Sequence, residues 1–345
     1  MVSSVSKKII YFMRIYQPLS EAISKEVEFL HSHFKNSFIY SMTSFYNVSS
    51  LLNFHLKRNK LVFCYLFLPL RLSSRLLEKR FEISHVFGNL NDNYYLKKLR
   101  KPPIIVTAVT IEKVFKAEDI KKVDIIITES KKQKEILVEE GVKENKIRLI
   151  YPPVDLNKFQ YVPVKSNNFK ILFASSPMRE SYFERRGINL LLDVGKELPE
   201  DIEFNLLWRG KTGKIMKKMI MENNLRNFEV IDTIILNLNK IYAQNHVTIA
   251  PFTTHSENKS CPNSIIESLA AGKPVLVSEK VGISDIIKRN RCGIVFKPTK
   301  EELIKAIEKI QRYYKGYQKN CRKCAEKYFS QERFIKEYEK VYDEF

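Results

Sequence analysis

Residues 247–278 read VTIAPFTTHSENKSCPNSIIESLAAGKPVLVS. Val247–Pro251 is a short apolar run, which predicts a buried strand. A polar loop follows and ends at Cys261-Pro262-Asn263-Ser264. The pattern from Asn263 to Ala271 predicts a helix, with Pro262 suited to its first turn because a missing N–H has no intrahelical partner there. The N–H groups of Asn263 and Ser264, together with the helix dipole, form an anion site. Glu267 lies one turn further in, able to point back toward that site. Gly272 closes the helix, and Val275–Ser278 predicts the next strand. A carboxylate is a poor neighbour for phosphate but a good acceptor for two ribose hydroxyls. Strand, anion loop, helix and carboxylate together fit a nucleotide.

Outward from this stretch the same alternation recurs. Lys170–Ala174, Phe204–Trp208, Phe228–Ile231 and Gly293–Phe296 read as strands, and Ile188–Leu198, Lys214–Asn223 and Lys240–Gln244 as helices. The first half repeats the pattern, with strands expected at Ile9–Arg14, Phe38–Met42, Leu61–Leu68, Ile83–Phe87, Ile104–Val109 and Val123–Thr128. Helices are expected there at Glu21–Phe34, Leu72–Phe81, Asp92–Arg100 and Lys131–Glu140. Continuous apolar strands separated by helices indicate parallel sheets covered on both faces. Pro152-Pro153 cannot continue either element and marks a hinge. The expected fold is α/β with two doubly wound, Rossmann-like domains facing a cleft. Residues 1–155 form the first domain, 156–168 a linker and 169–328 the second domain. Residues 329–345 form a terminal helix that packs back on the first domain, and the helical tail from Lys300 breaks near Ser330-Gln331.

The chain has 345 residues, long enough for two cores. Its 59 basic and 39 acidic residues give a net charge of +20, and 28 of the basic and 16 of the acidic residues lie in positions 1–168. Such a balance implies an anionic partner: nucleic acid, lipid headgroups or phosphorylated small molecules. The most apolar run, Leu61–Leu70, is half the roughly 20 residues a spanning helix needs, and the N-terminus lacks a secretory signal pattern. Five scattered cysteines do not make a disulfide framework. A cytoplasmic protein is the expectation. Cys321 and Cys324 form a C-x-x-C with no second ligand pair, so no zinc site is expected.

Here a family resemblance becomes specific. CPNSIIESLAAGKPVLVS, then VGISDII, then CGIVF resemble the donor-binding signature of family-4 glycosyltransferases, which have the GT-B fold. IIITESKKQKEILVEEGVKENKIRLIYPPVDLNKF resembles the family's domain junction, RRGINLLLDVGKEL its Lys-Gly helix, and SQERFIKEYEKVYDEF its terminal helix. The likeness covers residues 83–345. It implies a retaining transferase that moves a hexose or related sugar from a nucleotide-sugar to a glycan or lipid-linked acceptor. Glu267 would bind ribose, Pro262, Asn263 and Ser264 would meet the diphosphate, and Thr233 and Ile234 would contact the base. Arg186 stands where the family has a diphosphate-neutralising lysine, and Arg179 stands in for its first phosphate arginine. His85, at the end of a predicted strand, either lines the acceptor cleft or packs in the core.

Three positions depart from the pattern. Lys259, eight residues before Glu267, occupies the place of the family's first acid, and Glu257 replaces it only if the loop is two residues longer in space. The family's usual histidine falls at Val109 or Thr110, and the first Gly-rich loop is absent. Lys259 joins Arg186, Arg179 and the helix N-terminus as cations for the leaving diphosphate, with no metal or other cofactor expected, since no Asp-x-Asp motif is present. No nucleic-acid module is recognisable. The basic segment Phe54–Phe81 implies docking on the inner face of an anionic membrane. The alternative reading is a catalytically impaired GT-B-fold subunit that binds nucleotide-sugars or glycans.

Overall fold

The structure, a computed structural model, describes residues 7–16, 21–43, 60–64, 76–90, 95–110, 120–177, 179–208, 210, 212–233, 235, 237–255 and 258–345. The expected strand end at 65–68 and most of Phe54–Phe81, Ile234 and Glu257 lie outside these residues. The chain divides into two compact units, residues 1–152 with 332–345, and residues 153–331.

The first unit is built on a parallel sheet of seven strands in the order β3-β2-β1-β4-β5-β6-β7. These are β1 (Ile9–Met13), β2 (Ser37–Thr43), β3 (Lys60–Cys64), β4 (Ile83–Gly88), β5 (Ile104–Ala108), β6 (Ile125–Thr128) and β7 (Ile147–Leu149). The register is Tyr11 against Ile39 and His85, and Val86 against Val106. β1, β5 and β6 are buried along their length and β4 from Ile83 to Phe87, as a sheet covered on both faces requires. One face packs Val27 and Leu30 of α1 (Ala22–His33) together with Phe334, Tyr338 and Tyr342 of the terminal helix. The other face packs Tyr95, Leu96, Leu99, Val123 and Leu137, the last from α2 (Lys131–Glu139). Ser130 caps α2 by accepting a 3.1 Å hydrogen bond from the Gln133 N–H. β7 is an addition to the sequence reading: its three residues are too few to show a period.

The second unit has six parallel strands in the order β10-β9-β8-β11-β12-β13. They are β8 (Phe169–Ala174), β9 (Ile202–Leu207), β10 (Phe228–Ile231), β11 (Val247–Ala250), β12 (Val275–Ser278) and β13 (Gly293–Phe296). The helices between them are α3 (Ile188–Gly195), α4 (Gly213–Glu222), α5 (Leu238–Gln244), α6 (Asn263–Ala270) and α7 (Ser284–Asn290). Two more, α8 (Lys300–Arg312) and α9 (Tyr314–Phe329), precede the terminal helix α10 (Gln331–Asp343). The tail breaks at Tyr313 as well as at Ser330, because Tyr313 leaves the helical region at φ −110°, ψ 25°. The order turns back between β8 and β11, so loops after these two strands diverge and leave a crevice at their carboxyl ends.

The stretch expected to be a linker is packed. Phe159 is buried and meets the Tyr242 ring edge-on at 5.6 Å. Arg322 donates to the carbonyls of Phe159 at 2.6 Å and Ala270 at 2.8 Å, and Lys273 donates to that of Val162 at 2.6 Å. The Phe159 and Val162 carbonyls find cations because no sheet ladder serves residues 156–168, and the Ala270 carbonyl because it ends α6.

α10 belongs to the first unit, and there it decides the role of His85. The imidazole is fully buried, with Nδ1 2.8 Å from the Tyr342 hydroxyl and Nε2 2.8 Å from Thr107 Oγ1. Phe87 and Tyr338 flank the ring at 4.4 and 5.7 Å between centroids. Both nitrogens are spent inside the protein, so His85 is a core histidine and not a catalytic or acceptor-lining one. Burial holds its pKa well below the ordinary histidine value.

Candidate donor-binding site

The candidate site lies at the carboxyl ends of β8 and β11, the point where the strand order of the second sheet reverses. β8 runs into the segment that carries Arg179, Arg185 and Arg186 and then into α3. β11 runs into the segment that carries Lys259 and then into α6.

Backbone contacts lock the two loops together. The Thr253 N–H donates to the Arg185 carbonyl at 3.2 Å, and the Thr253 hydroxyl to the Glu184 carbonyl at 2.8 Å. The buried Asn258 amide also reaches the Arg185 carbonyl, at 3.2 Å. Gly187, at the start of α3, has φ +73°, and a Cβ there would stand 1.9 Å from the Pro251 carbonyl oxygen. Only glycine permits both the left-handed backbone and this approach.

The lock fixes Arg186. Its guanidinium stacks on Phe252 at 5.1 Å from the ring centroid, and the side chain is half-buried. Burial, aided by Arg185, pushes its pKa down to about 10, which leaves it protonated at neutral pH. Arg185 itself lies over the Tyr182 ring, at 4.5 Å. Two adjacent guanidiniums in a part-buried crevice repel each other, and a bound anion relieves that repulsion.

α6 supplies the other wall. Pro262 takes the capping position, one residue ahead of the first-turn place expected from sequence, with φ −65°. Its carbonyl accepts from the Ile265 and Ile266 amides at 3.0 and 3.4 Å. The amides of Asn263 and Ser264 come before the first intrahelical acceptor, and both residues are half-buried. Lys259 Nζ donates to Asn263 Oδ1 at 2.8 Å, so two of the predicted residues meet directly. Glu267 is 9 % exposed, and its Oε2 accepts a 2.8 Å hydrogen bond from Tyr242 of α5.

Thr233 is exposed just beyond β10, on the segment that leads into α5. Arg179 is exposed at the start of a single 3-10 turn, Glu180–Tyr182. No hydrogen bond or ion pair among the described residues holds its side chain in place. The site therefore brings together Arg186, Lys259, Pro262, Asn263, Ser264 and Glu267, and leaves Arg179 at its margin. Sequence reasoning missed Tyr242, Phe252 and Asn258. The polar tip of Tyr242, in an otherwise core-facing position, was the one available signal.

Residues 169–312 match the family model described as Glycosyl transferases group 1. An uncharacterized glycosyltransferase of Methanocaldococcus jannaschii is 24% identical over 237 residues, which are 65% of this chain and 59% of that protein. The match thus spans less than two thirds of that relative's length. Anabaena HepE, solved with UDP, aligns with TM-score 0.78 and 14% identity over 98% of this chain and 100% of that one. Sucrose-phosphate synthase of Thermosynechococcus elongatus aligns with TM-score 0.76 and 14% identity over 98% and 99%. The fold is GT-B. The match to the family model falls on the unit that holds the site, and it includes every residue of the site from Arg179 to Glu267.

Proposed function

We propose that the protein is a glycosyltransferase that takes a hexose or related sugar from a nucleoside diphosphate sugar and passes it, with retention of configuration, to a glycan or lipid-linked acceptor. The observation that carries this reading is the meeting of cations, free helix amides and a buried carboxylate at one sheet reversal. Glu267, oriented by Tyr242, accepts the ribose hydroxyls. Thr233 and the neighbouring Ile234 contact the base through the main chain. The amides of Asn263 and Ser264 and the side chains of Arg186 and Lys259 take the diphosphate. Exposed Arg179 adds a peripheral charge.

In the reaction the bond from the anomeric carbon to the phosphate oxygen breaks, and a bond from that carbon to the acceptor oxygen forms. The acceptor proton passes to the leaving phosphate, so no protein base is required. The departing charge is held by Arg186, Lys259 and the start of α6, groups already in place before the reaction and half-shielded from water. On this reading no metal takes part. HepE was solved with UDP and glucose, which makes UDP-glucose the first donor to try. The positive charge of residues 1–168 favours work at the inner, cytoplasmic face of an anionic membrane, where lipid-linked acceptors lie. No helix among the described residues is long and apolar enough to cross a membrane.

The test is a melting-temperature screen with UDP-, GDP- and ADP-sugars, since a ligand of the folded state raises the melting point. One donor should stabilise the wild type and fail to stabilise Glu267→Ala, and labelled sugar should then move to an added glycan or lipid-phosphate acceptor. Stabilisation of both proteins alike would remove the site assignment. One observation favours a second reading, a binding subunit of reduced activity: Lys259 engages Asn263 where the resemblance expects an acid. That reading predicts donor binding without transfer or donor hydrolysis.

A further inference from the structure

We infer that the open edge of the second sheet is a docking site for an extended acidic peptide segment of a partner protein. The inference does not depend on the proposed activity. Among the described residues β13 ends its sheet and pairs with β12 alone. In a parallel ladder both backbone groups of a residue turn to the same neighbour, and residues alternate. The Cys292 carbonyl accepts from Val275 and the Phe296 carbonyl from Glu279, so positions 292, 294 and 296 serve β12. Gly293, which is buried, and Val295, which is half-buried, then turn N–H and C=O away from β12, four groups in all. No hydrogen bond among the described residues reaches them. The strand's two ends are closed: Asn320 Nδ2 donates to the Arg291 carbonyl at 2.9 Å, and the Thr299 N–H to the Lys297 carbonyl at 2.7 Å.

This edge forms the floor of a groove of about 1230 Å³ bounded by α7 on one side and by α8 and the start of α9 on the other. Its charge is one-sided. The acids that line it are already paired: Glu279 with Lys280, Asp285 with Arg289 and Glu302 with Lys305. Lys288, Arg291, Lys309 and Lys319 line the same groove, are exposed, and have no ion-pair partner among the described residues. Cations that flank an edge strand, like lysines on one, oppose pairing with a second copy, because like charges meet. Here the same charges select an occupant of opposite sign. A second copy of this chain would bring a groove of the same positive sign. A membrane surface or a nucleic acid satisfies the cations but has no backbone to match Gly293 and Val295. An extended acidic peptide satisfies both, through strand addition with carboxylates on its flanks.

The experiment titrates the full-length protein into a fluorescein-labelled decapeptide of alternating glutamate and valine, read by anisotropy. A glutamate-proline decapeptide keeps the charge and lacks half the N–H donors, and an oligothymidine keeps only the charge. The double variant Lys288→Glu/Lys309→Glu reverses two rim charges. The donor-induced melting shift and the ligand-free melting point report that this variant is folded. The glutamate-valine peptide should bind, with affinity that falls as salt rises. The proline peptide, the oligothymidine and the double variant should each bind at least about tenfold more weakly. Equal binding of the proline peptide or the oligothymidine would reduce the site to simple charge attraction and overturn the inference. So would no binding of the glutamate-valine peptide, or undiminished binding to the folded double variant.

Discussion

The Tyr242 hydroxyl donates a 2.8 Å hydrogen bond to Oε2 of Glu267 and so joins α5 to α6. The Tyr242 hydroxyl also lies 3.3 Å from the Ser264 carbonyl, in the first turn of α6. Tyr242 is buried, and burial followed by the Glu267 charge raises its pKa well above the ordinary tyrosine value. It therefore remains a donor across the neutral range. Tyr242→Phe keeps the packing and removes this donor. The expected result is a weaker donor-sugar affinity by about tenfold, as for one lost hydrogen bond to a charged group. Isothermal titration calorimetry with the donor found in the melting screen checks it.

Arg186 and Arg179 should separate by effect. Arg186 is half-buried, stacked on Phe252 and held by the locked loops, whereas Arg179 is exposed with no bonding partner for its side chain among the described residues. Arg186→Ala should lower kcat/KM by about a hundredfold, the scale for losing one preorganised charge at a developing anion. Arg179→Ala should cost less than about threefold, as a solvated charge does. Initial rates of sugar transfer or donor hydrolysis decide between them, and equal losses would place Arg179 inside the site.

Gly187→Ala tests the loop lock. The left-handed backbone at φ +73° and a Cβ 1.9 Å from the Pro251 carbonyl both oppose the change. The expected loss is about 3 kcal/mol or more, because backbone, not a flexible side chain, has to move. Urea denaturation measures it. A shift within error would mean that the two loops move apart readily.

Buried His85 and half-buried His246 set an acid sensitivity. His85 has its pKa well below 6.5 in the folded protein through burial, and His246 has its pKa lowered to about 4 through burial and then the charges of Lys273 and Lys170. A lowered histidine pKa means the unfolded chain takes up the proton first. Their contribution to stability is fully present above the unfolded value near 6.5, and it is lost as pH falls toward each folded value. The urea midpoint should therefore drop between about pH 6.5 and pH 5, while most carboxylates stay ionised. A flat midpoint over that window would contradict the lowered pKa of these two rings.

The sequence by itself determined that β-strands alternate with helices in two parallel sheets, because apolar runs and their spacing are local properties of the chain. It located the helix that begins at Asn263, from Pro262 before it and Gly272 after it, and the carboxylate of Glu267 one turn in. Only the tertiary structure decided which residues stand together. His85 reads as a residue at a strand end, but it lies inside β4, where Tyr342 of α10, more than two hundred residues later, takes Nδ1 and Thr107 of β5 takes Nε2. Tyr242 reads as one more core aromatic until α5 packs beside α6 and its hydroxyl meets Glu267. Residues 156–168 read as a linker until Arg322 and Lys273 supply donors for their carbonyls. The physical reason is common to all three: periodicity records which face of an element is buried, whereas partners depend on strand order and on packing between distant segments.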